Sequence, residues 1–167
     1  MKDEILRCAQ DDSELTMALV QGLRIVWASP ISVLALVVAT FNLMFGGQLR
    51  RSGIALEATG GAMPLLLKAL GPKRSIAAIT LGHVILARSD HEAARWRAHE
   101  HAHVRQYERW GVVFPLAYAA ASLVAWSRVC DLYWDNAFEV EARAAEVKAA
   151  TQALPSPRPP ARTGALR

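Results

Sequence analysis

The sequence predicts an α+β protein that is mostly helical, with a long apolar helix, a small sheet of two to three strands, a histidine-bearing helix and a C-terminal helix. Three observations favour this class. Residues 25–49 carry no charge, two β-type segments follow them, and the second half of the chain contains helix start and stop signals. With 167 residues, of which 53% are hydrophobic and 20% charged, the chain is long and apolar enough to build a core.

The composition divides the chain into three predicted parts. Residues 1–47 comprise the N-terminal helix and its apolar segment, and residues 48–151 form the α+β domain. Residues 152–167 contain four prolines, three arginines and no acid, which predicts a disordered tail. This tail supplies three of the four units of net positive charge. The rest of the chain therefore lacks the basic surface that nucleic-acid binding needs.

The apolar run at residues 25–49 is long enough to cross a membrane. A bilayer core of about 30 Å needs about 20 apolar residues in a helix. Trp27 and the Arg50–Arg51 pair suit the two interfaces. Pro30 and Asn42 interrupt the run, so a buried core helix is the alternative. Lysines and arginines are more numerous after the run than before it, which favours an inner-membrane protein whose C-terminal domain is cytoplasmic.

The middle of the chain alternates strand and helix signals. Residues 48–59 predict a strand, residues 62–70 a short helix that stops at Gly71, and residues 76–87 a second, buried strand. Asp90 is the predicted N-cap of a helix that runs to Trp110, before Gly111.

The C-terminal third begins with a second uncharged run, at residues 111–127. Seventeen residues are marginal for crossing a membrane, so we expect a buried core helix, with a second membrane span as the alternative. A turn at residues 130–136 then leads to a last helix at residues 138–150. Cys8 and Cys130 are too few for a disulfide framework and are predicted to be buried single thiols.

A metal-binding motif lies inside the helix predicted at residues 90–110. His99, Glu100 and His103 form the pattern H-E-x-x-H. Two histidines four residues apart lie on one face of a helix, so both imidazoles can reach one zinc ion. Glu100 lies about 100° further round the helix, where it can act as the general base toward a water molecule. Nickel, copper and iron also accept imidazole, so zinc is an expectation from ligand chemistry.

A catalytic zinc site needs a third protein ligand. Among the acidic residues that follow the motif, Glu108 is on the same helix and points away. Glu139 and Glu141 begin the last predicted helix, from which a side chain can turn toward its neighbour. The spacing leaves both of them open.

The motif and the segment Asn136–Ala142 together resemble the gluzincin branch of the zincin metallopeptidases, and more narrowly a family of small, membrane-associated bacterial proteins. The order of elements across residues 48–150 is similar to that of minimal gluzincin domains. The resemblance implies a zinc-dependent peptidase with His99, His103 and Glu139 as metal ligands, Glu141 being the alternative to Glu139. Arg143 stands where such motifs often carry an aspartate. Support for a histidine would then come from Asp131 or Asp135.

Further residues are assigned by their position. Tyr107, one turn beyond His103, is the first candidate to stabilise a substrate oxyanion, with Tyr133 and His83 as alternatives. His101 is about 200° from His99 and is not expected to be a ligand. The strand at residues 76–87 is expected to pair with an extended substrate.

Three functions remain open at this stage. The first is a membrane-associated zinc metallopeptidase acting on a peptide or protein. The second is a zinc-binding scaffold at the membrane without catalysis. The third is a membrane protein with spans at residues 25–49 and 111–127 and a histidine cluster that arose by chance.

Overall fold

The mostly helical α+β class is confirmed. A computed structural model describes residues 2–71 and 76–153, with side chains from residue 14 onward. The elements, in chain order, are α1 (Lys2–Leu43), β1 (Gly47–Ser52), β2 (Ala55–Gly60), α2 (Met63–Leu70), β3 (Ala78–Leu81), β4 (Val84–Ala87), α3 (Asp90–Trp110), a 3-10 turn (Gly111–Val113), α4 (Phe114–Ser127) and α5 (Ala137–Ala153). Of the tail predicted at residues 152–167, only residues 152 and 153 are described, and they end α5; the rest lies outside the described residues.

Each of the two predicted strands is a β-hairpin, so the sheet has four strands rather than two or three. β1 and β2 are joined by the two residues between Ser52 and Ala55, and β3 and β4 by those between Leu81 and Val84. Gly53 (φ +60°) and Gly82 (φ +64°) stand at the first position of these turns. A two-residue hairpin turn with glycine first matches the right-handed twist of the strands.

The strand order is β1-β2-β4-β3, with β2 and β4 parallel. Residues alternate between the two faces of the sheet. On one face Ala58, Val84 and Leu86 pack against Ala35 and Ala39 of α1. On the other face Ile85 packs with Val104 of α3. The sheet thus lies between α1 and the histidine-bearing helix α3.

The helix α1 does not coincide with the apolar run. It begins at Lys2, ends at Leu43, and leaves the last residues of the run in β1. Its buried face carries small or polar residues at helical spacing: Ala28, Ser32, Ala35, Ala39 and Asn42. Asn42 Nδ2 donates to the Thr59 carbonyl oxygen (3.3 Å), and its Oδ1 accepts from the Ala62 N–H (2.8 Å). These bonds attach the end of α1 to the sheet.

Two stretches of helix are long and apolar enough to cross a membrane, Glu14–Leu43 in α1 and Asp90–Ser127 across α3 and α4, and only 17% of the apolar segment within each is buried. The charged residues of the second stretch lie in α3. The expectation of a buried core helix at residues 111–127 is wrong, because α4 buries Phe114 and Ala125 while Leu116 and Trp126 are exposed. Pro115 lies in the first turn of α4, where it breaks no hydrogen bond.

Two smaller expectations are also corrected. The N-cap of α3 is Ser89 rather than Asp90, because Ser89 Oγ accepts the Glu92 N–H (3.3 Å). Cys130 is exposed in the turn after α4 rather than buried. The side chain of Cys8 lies outside the described part of the chain.

Candidate metal centre

Helix α3 presents His99 and His103 on the same face, one turn apart. Their Nε2 atoms are 3.2 Å apart, and the residues are only 5% and 8% exposed. The predicted spacing therefore brings the two imidazoles to one point in the interior, beneath α4 and α5.

Glu139 reaches this point from the first turn of α5. Its Oε2 lies 3.2 Å from His99 Nε2, and its Oε1 lies 3.4 Å from His103 Nε2. Ligand atoms from these three residues all lie within 4.8 Å of one another. Glu141 is exposed and its Oε2 instead accepts from Gln106 Nε2 (3.0 Å). Of the two glutamates left open by the spacing, Glu139 lies with the histidines.

The start of α5 is held in place by Asn136, which is completely buried. Its Oδ1 accepts the Phe138 N–H (2.9 Å). Its Nδ2 donates to the Tyr118 carbonyl oxygen (3.0 Å) and to Ser122 Oγ (2.7 Å) on α4. The cap of α5 is thereby bonded to α4, which fixes the direction in which Glu139 leaves the helix.

The three residues fit a divalent cation. His99 Nδ1 is buried and has no hydrogen-bond partner among the described residues, and Glu139 Oε2 is buried with His99 Nε2 as its contact. Burial would raise the pKa of Glu139, but hydrogen bonds from His103 and His99 outweigh it and hold the pKa below its usual value. A carboxylate that stays charged beside two imidazole nitrogens is a donor set that zinc prefers. His99, His103 and Glu139 could hold a metal ion.

The orientation of His103 is set by Gln106, one turn further along α3. His103 Nδ1 lies 2.8 Å from Gln106 Oε1, while Gln106 Nε2 donates to the Phe138 carbonyl oxygen (3.0 Å) and to Glu141. Because the amide nitrogen is committed to these acceptors, Oε1 must accept, and the His103 proton lies on Nδ1. In the neutral imidazole, the form that binds a metal, the lone pair is then on Nε2, the nitrogen that faces the cluster.

Glu100 is buried beside the cluster and anchored to the edge strand β3. Thr80 Oγ1 donates to its Oε2 (2.7 Å). Burial raises the pKa of Glu100, and the charge of His103 and the Thr80 hydrogen bond offset part of this rise. A carboxyl group with a raised pKa is suited to accept and return a proton.

The structure separates the predicted oxyanion candidates. Tyr107 packs against Phe114 (ring centroids 4.5 Å apart) and Ala28 in an apolar cluster. His83 contacts Glu108 Oε1 (3.3 Å) and Ser32 of α1. Among the described contacts, none joins either residue to His99, His103 or Glu139. Tyr133, in contrast, is hydrogen-bonded to Glu139.

Two side chains that contact the cluster, Tyr118 and Gln106, were missed from sequence. Tyr118 on α4 donates to Glu139 Oε1 (2.8 Å); the one tyrosine within the uncharged run at residues 111–127 was the available signal. Asp131 and Asp135, expected to support a histidine, accept backbone N–H groups of the 131–135 turn. Gln106 supports His103 instead.

His101 lies apart from the cluster, as predicted, 3.1 Å from Ser52 Oγ.

Comparison of the chain with models of known protein families, with curated proteins and with solved structures finds no match. The class of this protein is therefore defined by its own fold and site: an α+β domain beside a long apolar helix, with a buried His99–His103–Glu139 cluster that could hold a metal ion.

Proposed function

We propose that this protein is a membrane-associated, zinc-dependent hydrolase of the metallopeptidase type, acting on a peptide or protein. The observation that carries the proposal is the convergence of His99, His103 and Glu139 on one point, with Glu100 next to His99 in the chain. This is the arrangement that the resemblance to gluzincins implies. Three protein ligands leave a coordination position for water, as catalytic zinc sites require.

The roles of the side chains follow from their positions. Bound zinc would supply Lewis acidity toward the scissile carbonyl. Glu100, held by Thr80, accepts the proton of the attacking water and returns it to the leaving amine. The hydroxyls of Tyr118 and Tyr133, both hydrogen-bonded to Glu139, are the candidate donors for the oxyanion that develops. They replace Tyr107 in this role.

Burial of the cluster favours a second candidate, a metal-binding scaffold without catalysis. His99, Glu100, His103 and Glu139 are each no more than 8% exposed. A substrate must therefore displace part of the surface over the site, and Tyr133, which is 37% exposed beside Glu139, marks where it would enter. A scaffold would need no such opening.

Metal analysis combined with peptide hydrolysis distinguishes these functions. We expect about one zinc per purified chain, lost in His103→Ala and kept in His101→Ala, the matched control on the same helix. Glu100→Gln should keep zinc and abolish hydrolysis of a peptide pool. Zinc binding without turnover in the unmodified protein would favour the scaffold, and absence of bound metal would reject both.

The membrane part of the proposal rests on the exposed apolar side chains of α1. We place the domain on the cytoplasmic side of the inner membrane, because lysines and arginines concentrate after α1. Cys130 is exposed in the domain and can report the side. In a Cys8→Ser background, a membrane-impermeant maleimide should label Cys130 only after the cells are permeabilised. Labelling in intact cells would reverse the orientation.

A further inference from the structure

Helix α5 carries a second charged side chain on the face that holds Glu139. Arg143 follows Glu139 by four residues, so the two lie one turn apart on one side of the helix. The Arg143 guanidinium lies over the Trp134 ring, 4.9 Å from its centroid, and its Nη2 donates to the Trp134 carbonyl oxygen. These contacts hold the guanidinium against the turn that also carries Tyr133.

One nitrogen of this guanidinium is left without a partner. Arg143 Nη1 is buried and has no hydrogen-bond acceptor among the described residues. A buried donor without an acceptor costs about 1–3 kcal/mol, and more when it is charged. A purely structural role for Arg143 would need only the contact with the Trp134 ring and the hydrogen bond from Nη2. It would leave the cost of the unpaired Nη1 uncompensated.

The position of Arg143 points to the substrate site. Tyr133 is hydrogen-bonded to Glu139, and the charge of Arg143 acts on this same tyrosine. Four residues of helix, about 6 Å along the axis at 1.5 Å each, separate the ligand Glu139 from Arg143. One or two extended residues, at about 3.3–3.6 Å each, span such a distance. A planar guanidinium is the side chain best shaped to bind a carboxylate.

We infer that Arg143 binds the C-terminal carboxylate of the substrate, so that the enzyme removes one or two residues from the free carboxyl end of a peptide. The inference rests on the proposed hydrolytic function. Water adds across the peptide bond, the C–N bond breaks, the amine takes the proton from Glu100, and the short product keeps the carboxylate that Arg143 holds. A peptide whose C-terminus is amidated lacks the second oxygen and the charge.

Binding to an inactive variant tests this without turnover. Zinc-loaded Glu100→Gln protein is immobilised and equilibrated with an equimolar pool of N-acetylated hexapeptides, each as the free acid and as the C-terminal amide. Mass spectrometry of the retained peptides gives the acid-to-amide ratio. We expect the free acids to be enriched about tenfold or more, because a hydrogen bond to a charged group contributes about 1.5–3 kcal/mol.

Variants of Arg143 assign the effect to this residue. Added to Glu100→Gln, Arg143→Gln should bring the ratio close to one, and Arg143→Lys, which keeps the charge but loses the planar fork, should give an intermediate ratio. Lys148→Gln, an exposed cation on the same helix, is the matched control and should leave the ratio unchanged. Thermal melting identifies any variant that fails to fold, in which case the Lys variant carries the comparison.

The inference is overturned if the parent retains acids and amides equally, or if Arg143→Gln keeps the full preference. Its failure is distinct from that of the proposed function. If the unmodified protein hydrolyses peptides but the Glu100→Gln variant retains free acids and amides equally, the role of Arg143 alone is rejected. An Arg143-dependent preference in a protein that never hydrolyses peptides would reject the enzyme and keep the carboxylate site.

Discussion

Gln106 connects the two helices that carry His99, His103 and Glu139. Its Oε1 accepts from His103 on α3, and its Nε2 donates to the Phe138 carbonyl oxygen on α5, next to Glu139. It is only 3% exposed, so water does not replace these bonds when they are lost. One amide therefore fixes both the tautomer of a ligand and the spacing of the helices.

Replacing this amide should weaken metal binding without removing a ligand. We expect Gln106→Leu to lower zinc affinity about 10–100-fold, the usual effect of losing a partner of a ligating histidine. Competition with a chromophoric chelator measures the affinity. Arg105→Leu, an exposed change at the adjacent position, is the control. An unchanged affinity in Gln106→Leu would show that α3 orients His103 alone.

The sequence predicts only those parts of the site that depend on helical spacing. His99, Glu100 and His103 follow from a four-residue period within one helix, and the choice of Glu139 needed the resemblance because spacing left Glu141 equal. Thr80, Gln106 and Tyr118 act across elements. Their roles depend on how β3, α4 and α5 pack against α3, and a single sequence does not specify that packing.

At the scale of elements, α1 reverses the usual distribution of side chains on a helix that packs against a domain. The residues it buries are small, such as Ala35 and Ala39, while Leu34, Val37 and Phe41 are about 60% exposed. Small residues let the helix backbone approach the sheet closely. At Gly82 a Cβ would lie 2.2 Å from Ser32 Oγ, so the β3–β4 turn is in tight contact with α1.

This close approach predicts that the two faces of α1 tolerate added volume differently. Ala39→Leu should lower the free energy of unfolding by about 1–3 kcal/mol, because it overpacks a filled interface. Val37→Leu, on the exposed face, should change it by less than about 0.5 kcal/mol. Thermal or chemical denaturation in detergent gives both values. Equal effects would mean that α1 does not pack on the sheet as described.

A second contact between elements gives a pH-dependent prediction. Arg97 of α3 binds Glu57 of β2 through two hydrogen bonds, of 2.8 and 3.0 Å, which lower the pKa of Glu57 from its usual 4.5. A carboxyl pKa that is lower in the folded state adds stability above pH 4.5, and this stability is lost as the pH falls toward the folded value.

The melting temperature of Arg97→Gln should therefore fall below that of the parent by most at neutral pH, with the gap closing below pH 4.5. Both proteins are treated with a chelator, so that the proposed metal ligands titrate in the same way in the parent and in the variant. Arg105→Gln, on the same helix, should show no such gap. A gap that stays constant with pH would assign the loss to packing of the arginine stem.

The hairpins show where prediction of elements failed. Both turns lack the Asn-Gly or Asp-Gly pair that signals a two-residue hairpin most strongly. Gly53 and Gly82 are each a single glycine inside a β-type segment, so each segment was predicted as one continuous strand. The helices were predicted more accurately, because their caps and stops are local. Helix α3 ends at Trp110 as expected, and its predicted cap, Asp90, lies one residue after the observed cap, Ser89.

At the scale of the whole molecule, the exposed apolar surface is larger than a soluble fold of this size needs. α1 exposes large hydrophobic residues from Leu15 to Leu43, and α4 exposes Leu116, Leu123 and Trp126. Exposed apolar patches of this extent mark a lipid or protein contact. Helix α3 carries charged residues along its length, whereas α1 has none after Arg24, which favours α1 rather than α3 as the element within the bilayer.

The exposed, uncharged face of α1 predicts how the protein partitions between the membrane and the soluble fraction. The parent should stay in the membrane pellet after alkaline carbonate extraction and dissolve only in detergent. Val33→Glu with Val37→Glu, on the exposed face of α1, should move it toward the supernatant, because each charge costs about 2.5–3.5 kcal/mol at the centre of a membrane helix. Leu65→Glu with Val147→Glu places the same charge on exposed positions of α2 and α5 (73% and 66% exposed) and should leave the protein in the pellet. If carbonate released the parent, or both pairs had the same effect, α1 would be a helix that packs against another protein rather than one that enters lipid.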